Sequence, residues 1–435
     1  MRIVSDQDAM EELMQYVWRF RLWPDPHMTT RDGRRVDIIH PGTLNTDSGP
    51  DFFNASVRID GQMWAGNIEI HVHASDWHRH GHDDDPAYDN VILHVVQYDD
   101  CDIQRRTDGA VIPQVVMTCA ADFRQRFLDT FSSPSTELPC ARHLDEIPPL
   151  MLTAWLSRLA LERLQRKADD IAAILADTHD DWNAATYQTL ARGLGFGNNA
   201  DAMQQLARMV PLKFLMQHGD SIEGTEGLLL GTAGLLDMEY PHDDYEALLV
   251  NEYRFYCHKF QLHHATQPQW KTRQRPHNSP VRRVAMLAAM VRGDFSFAGI
   301  IARMTQLTDV QFLFDYRLSD YWRTHITLGV PCPPTTTLMS KATLNLLTTN
   351  VVAPLLYAHG DRTGNDRQQQ LAIEILENTR PEVNRHTEPF TRAGLKCPDA
   401  FTSQAFVQLR KEYCQKSKCL YCHLGHRLLS SRVKP

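Results

Sequence analysis

No stretch of this 435-residue chain approaches the roughly 18 uninterrupted apolar residues that a membrane-spanning helix requires, so no such span is expected. The first residues, Met1 to Asp6, turn acidic at once and lack the apolar core of a secretory leader, which points to a cytoplasmic protein. Without a secretory leader, nine cysteines do not suggest a disulfide framework. An excess of positive charge is also missing. Forty-five Lys and Arg stand against 53 Asp and Glu, a net charge of −8, which argues against coating nucleic acid wholesale but leaves room for a local basic groove. A phosphate-binding loop is lacking too. Gly193-Leu194-Gly195-Phe196-Gly197 has no strand before it and no Lys-Ser/Thr after it, and reads as a helix-terminating loop.

What remains is ordinary globular composition, 43% apolar and 23% charged, in a chain long enough for two or three compact units. From about Asp8 to Phe20 the spacing predicts a helix with Leu13, Met14, Val17 and Trp18 on one stripe. Residues 37–118 switch to period-two patterning. Asn54 to Asp60 alternates, Asp60-Gly61 is a hairpin turn signal, and Asn67 to His73 alternates again. Val91 to Val96 is nearly all apolar, as in a strand buried on both faces. A proline-containing connection, Ser132 to Pro149, leads into helical periodicity that recurs to about residue 390. The expected organisation is an α/β domain over 1–130, a mainly α-helical domain over 150–396, and a basic cysteine-bearing segment over 397–435.

The densest chemistry lies between Asp47 and His94. Glu69, His71 and His73 alternate onto one face of their strand while Ile68, Ile70 and Val72 take the other. A short hairpin can bring Asp51, at the entry of the preceding strand, beside Glu69. Two carboxylates a few ångströms apart suit Mg²⁺ or Mn²⁺, which polarises a phosphodiester and lowers the pKa of an attacking water. His71, two residues after Glu69, is placed to hold that water. His71, His73, Asp76, His78, His80 and His82 also offer a zinc site of another hydrolase class, although His78, His80 and His82 fall in an expected loop where histidines are commonly solvated. His94, inside an apolar strand, reads equally as a hydrogen-bonded core histidine.

Pro50-Asp51, a hairpin, then Glu69-Ile70-His71 resembles the PD-(D/E)XK motif of restriction-endonuclease-like phosphodiesterases, over about the first 120 residues. The resemblance implies a mixed sheet with flanking helices and a metal held by Asp51 and Glu69. It further implies support from Asp47 and from a helical glutamate, Glu12 (or Glu11), with His71 in the place of the usual lysine. Unlike lysine, histidine titrates near pH 6.5, so its charge depends on pH. The chain as a whole also resembles an uncharacterised bacterial family, through Gly49-Pro50-Asp51-Phe52, Gly66 to His71, Ser75-Asp76-Trp77 and Val91 to Val96.

Near the C-terminus, Cys414, Cys419 and Cys422 lie within nine residues. A Cys-x2-Cys pair bites one metal, and a third cysteine can return across a helix end. Tetrahedral zinc needs a fourth ligand, which His423, His426 or Cys397 offers; an iron–sulfur cluster would take Cys397. Some nucleases of the resembled superfamily pin a C-terminal segment to the core with such a cluster. Basic residues there (Arg410, Lys411, Lys416, Lys418, Arg427, Arg432, Lys434) interleave with Tyr413 and Tyr421, and a second basic run spans Lys271 to Arg275 with Arg282 and Arg283. Both suit nucleic-acid contact or simple solvation. Two functions are therefore expected: a metal-dependent nuclease on DNA or RNA, or a nucleic-acid-binding protein that keeps a nuclease-like frame without turnover. The oligomeric state is not legible.

Overall fold

In the computed structural model the apolar stripe of the first helix is fully enclosed. α1 (Asp6–Arg19) buries Leu13, Met14, Val17 and Trp18 against a mixed seven-stranded sheet. The structure describes residues 6–23, 28–45, 47–119, 121–131, 138–217, 221–262, 267–271, 279–292, 295–314, 316–416 and 418–430. Of the basic residues singled out above, Arg273, Arg275, Arg432 and Lys434 lie outside them, as do residues 132–137 of the proline-containing connection.

The chain divides into two compact units, 1–155 with 410–435, and 156–409. The basic C-terminal segment expected over 397–435 is thus divided at 409/410, and its cysteine-rich part belongs with the sheet.

In the first unit the strands run in the order β1 (Met28–Thr29), β2 (Arg35–His40), β4 (Phe52–Ile59), β5 (Gln62–His73), β6 (Val91–Tyr98) and β7 (Gln114–Val116), with β3 (Thr43–Leu44) paired to β4. Pairing is antiparallel from β1 to β5 and parallel from β5 to β7. The β4–β5 hairpin forms because Ala55, Val57 and Ile59 alternate inward and the turn residues tolerate left-handed backbone. Asp60 sits at φ 46° and Gly61 at φ 87°, closing the two-residue loop between Ile59 and Gln62. A parallel partner then needs a crossover. Residues 74–90 supply it, through the short helix α2 (Asp76–Arg79) and a 3₁₀ turn at Pro86–Tyr88. Trp77, Tyr88 and Val91 with Ile103 and Ile112 form a small second core under that crossover. Gly66 on β5 is required by the packing: a Cβ there would come within 2.5 Å of both Asn90 O and Ile92 Cγ2.

The second unit is mainly helical, as its periodicity predicts, with a large leucine-rich core and, among the described residues, one two-stranded ladder, His325–Thr327 with Val330–Pro331. Among the described residues, no helix is long and apolar enough to cross a membrane.

Candidate metal centre

Asp51 sits just before β4, and Glu69 lies in β5. The ladder is irregular between Phe52 and Ala55, which frees the strand entry to fold its carboxylate onto the neighbouring strand. The two acids clasp each other. The Asp51 N–H donates to Glu69 Oε2 (3.0 Å), and the Ile70 N–H donates to Asp51 Oδ2 (2.9 Å). Gln15 on α1 donates through Nε2 to Asp51 Oδ1 (2.7 Å).

Burial dominates the electrostatics. It pushes the Asp51 carboxyl well above the usual carboxylate range, and the negative Glu69 adds to that. Glu69 is pushed up to about 8, mainly by burial, which the Asp51 amide opposes and Glu11 reinforces. Of the two helical glutamates, Glu11 is therefore the one that Glu69 senses, whereas Glu12 acts on Cys419 and Tyr421. The helical period explains the division: Glu11 shares a face with Gln15, one turn on, and Glu12 shares one with Tyr16. Asp47 is exposed, and its own N–H donates to Asn45 Oδ1 (2.9 Å).

The face carrying Glu69 and His71 is not open to water. Glu69 is 5% exposed and His71 0%, because the 74–90 crossover folds over them. Of the three histidines expected in a solvated loop, His78 and His80 are exposed, as expected, and His82 is half-buried. The short helix is locked by buried Asp76, whose Oδ2 accepts from the His73 N–H (3.0 Å), and by buried Trp77. His80 and His82 are thereby delivered to His71, with ligand nitrogens of all three within 4.8 Å of one another. His78 is exposed and pairs with Asp83 (2.7 Å). Glu69 Oε1 lies 3.5 Å from His71 Nε2 and 3.3 Å from His82 Nε2. The His82 contact is out of line for a hydrogen bond, so among the described residues that buried nitrogen has no hydrogen-bond partner. Glu69 thus has one oxygen on the carboxylate side and one on the histidine side.

A relay behind His71 settles its tautomer. Gln114 Nε2 donates to Cys101 O (2.8 Å) and to Asp99 Oδ1 (3.3 Å), which turns Gln114 Oε1 toward His94 Nδ1 (2.9 Å). His94 Nδ1–H must donate there, so His94 Nε2 accepts from His71 Nδ1–H (2.8 Å). His71 Nε2 is left with its lone pair facing Glu69, and His80 Nδ1 (3.1 Å) donates to it. A ligating histidine is oriented in this way through its other nitrogen. Burial and the neighbouring imidazoles push the His71 pKa far down, and burial brings His94 to about 4. His71 is thus a neutral lone-pair donor, not a substitute for a lysine cation.

The sequence reading brought Asp51, Glu69 and His71 together, offered His80 and His82 only as part of a separate zinc site, left His94 open between core and functional roles, and missed Gln114. The x-His-x-His-x-His run of alternate positions was a visible signal for the histidines; the relay through Gln114 had none.

Cys397 belongs to the second unit, where its Sγ lies 4.0 Å from Asp399 O and burial, then Asp399, raises its pKa to about 11. Cys414, Cys419 and Cys422 belong to the first unit.

A family model described as "Protein of unknown function (DUF2851)" matches residues 11–385, and the chain belongs to that family. No curated protein and no solved structure matches it.

Proposed function

We propose that this member of the DUF2851 family is a cation-dependent nuclease whose centre is Glu69, shared between a carboxylate side (Asp51, Glu11) and an imidazole side (His71, His80, His82). The observation that carries this reading is the buried clasp of Asp51 and Glu69 on adjacent strands. Like charges held this close in a dry site are stable only when protonated or when a cation lies between them. Their positions support a phosphodiesterase of the PD-(D/E)XK kind. One acid enters the first strand of the antiparallel β4–β5 hairpin and the other lies on its second strand, beside a parallel neighbour, with a helical glutamate behind.

The donor set suits Mg²⁺ or Mn²⁺ on the oxygen side and a borderline ion such as Mn²⁺ or Zn²⁺ on the imidazole side. A cation bound there would polarise a phosphoryl oxygen and lower the pKa of an attacking water. The protein's own part is to hold the carboxylates in register, keep His71 neutral through His94 and Gln114, and exclude bulk water with Trp77 and Tyr88. Because His71 contributes no positive charge, the chemistry depends on the cation alone for charge neutralisation.

The test is cleavage of plasmid, single-stranded DNA and RNA by the full chain with Mg²⁺ or Mn²⁺ and with chelator. Asp51→Asn and Glu69→Gln should each lower the rate by about 100-fold or more, as loss of transition-state charge stabilisation does. Cleavage that survives in the double variant refutes the nuclease. The neutral His71 favours one alternative, a frame that binds nucleic acid without turnover. That alternative is supported if binding is intact and no metal gives cleavage.

A further inference from the structure

We infer that Cys140, Cys414, Cys419 and Cys422 form a four-thiolate metal centre, for zinc or an iron–sulfur cluster, that fastens the C-terminal segment into the first unit. These residues arrive from separate parts of the chain. Cys140 lies in the 3₁₀ turn Pro139–Glu146, Cys414 ends the π-helical turn Leu409–Cys414, and Cys419 and Cys422 bracket the turn Cys419–Tyr421. Backbone bonds gather the last three. The Lys418 N–H donates to Tyr413 O (2.9 Å) and the Cys422 N–H to Cys419 O (3.2 Å). Trp155 braces both ends of the loop, its ring centroid 5.6 Å from Tyr413 and 5.5 Å from His423. The terminal helix His423–Ser430 packs on the turn that carries Cys140.

Every pair among the four sulfurs interacts electrostatically: Cys140 with Cys414, Cys419 and Cys422, Cys414 with Cys419 and Cys422, and Cys419 with Cys422. Burial leads in raising each thiol, Cys140 to about 12, so without metal all four are neutral. All four are free thiols rather than disulfides. One buried cysteine is a small apolar filler. Four thiols that sense one another, gathered from two distant stretches of the chain, offer a metal its ligands. Binding replaces up to four thiol protons, which pass to solvent, and involves no change in cysteine oxidation state.

The centre adjoins the helix that serves the acidic site. Glu12 of α1 acts on Cys419, and Tyr16 OH meets His426 Nδ1 at 2.5 Å. The same helix carries Glu11 and Gln15 on its other side.

The test is metal and sulfide analysis with an absorption spectrum on the full chain purified without oxygen. Stoichiometric zinc in a colourless protein, or iron with inorganic sulfide in a brown one, is expected. The metal should persist in Asp51→Asn/Glu69→Gln and in Cys397→Ser, and fall below about a tenth in Cys140→Ser, because a structural site needs its full set of ligands. Alkylation mapped by mass spectrometry gives a readout free of variants: in the loaded protein the four cysteines should be protected and Cys397 modified. Wild-type protein that takes up neither zinc nor iron and sulfide overturns the inference. So does a Cys140→Ser protein that keeps its metal, or a Cys140 alkylated as fast as Cys397.

Discussion

Replacing Glu69 by glutamine should lessen a pH dependence that the wild-type protein shows when stripped of metal, leaving the part that the raised Asp51 carboxyl contributes. The folded-state pKa of Glu69 stands at about 8, against 4.5 for an unperturbed glutamate. The folded chain therefore holds a proton that the unfolded chain gives up above pH 4.5. That stability is complete below 4.5, is lost progressively as pH rises, and is gone above 8. The histidines have the opposite sign. His71, His82 and His94 are all lowered, so their contribution is complete above about 6.5 and is lost on acidification. Between pH 6.5 and 8 the carboxylate slope stands alone. One pKa unit is about 1.4 kcal/mol, so wild-type protein should lose about 2 kcal/mol across that window relative to Glu69→Gln. Urea unfolding in chelator, read by hydrogen exchange in peptides from β5, isolates the first unit from the helical one. Saturating Mn²⁺ should reverse the slope, since a bound cation stabilises the deprotonated form. Equal slopes for wild type and Glu69→Gln would refute the buried-carboxylate account.

Three further outcomes follow from the same geometry. Gln114→Leu removes the group that orients His94 and through it His71, and should weaken Mn²⁺ binding by about 10–100-fold in calorimetry; unchanged affinity would remove the relay from the site. Cation binding should release a proton at pH 7 from Glu69, so that the calorimetric heat varies with the ionisation enthalpy of the buffer; a buffer-independent heat would contradict it. Gly66→Ala drives a Cβ into Asn90 O and Ile92 Cγ2 and should cost the first unit about 1–3 kcal/mol in unfolding, without altering the second.

Much of the sheet was legible because its signals are local. The alternation of Ala55, Val57 and Ile59, the Asp60-Gly61 turn and the apolar run at Val91 each specify a strand from neighbouring residues alone. Asp51 and Glu69 could be paired from the hairpin period. The histidine cover was not legible, since the fate of His80 and His82 depends on whether residues 74–90 pack down. That packing is decided by Trp77 and Asp76 meeting partners elsewhere in the unit. Glu11 and Glu12 differ by one helical step, about 100°, finer than sequence boundaries resolve. Cys140 carries no signal in the sequence, because the long stretch between it and Cys414 hides any spacing pattern.

The return of residues 410–430 to the sheet unit has a consequence for biosynthesis. Leu420 and Leu429 belong to the core that α1 and the sheet begin, yet the ribosome makes all of 156–409 before it reaches them. At ordinary elongation rates the nascent sheet waits on the order of tens of seconds with part of its apolar surface uncovered. A transcript truncated anywhere in the helical region would leave that surface permanently bare and the product a substrate for chaperones and proteases, whatever the state of its carboxylates.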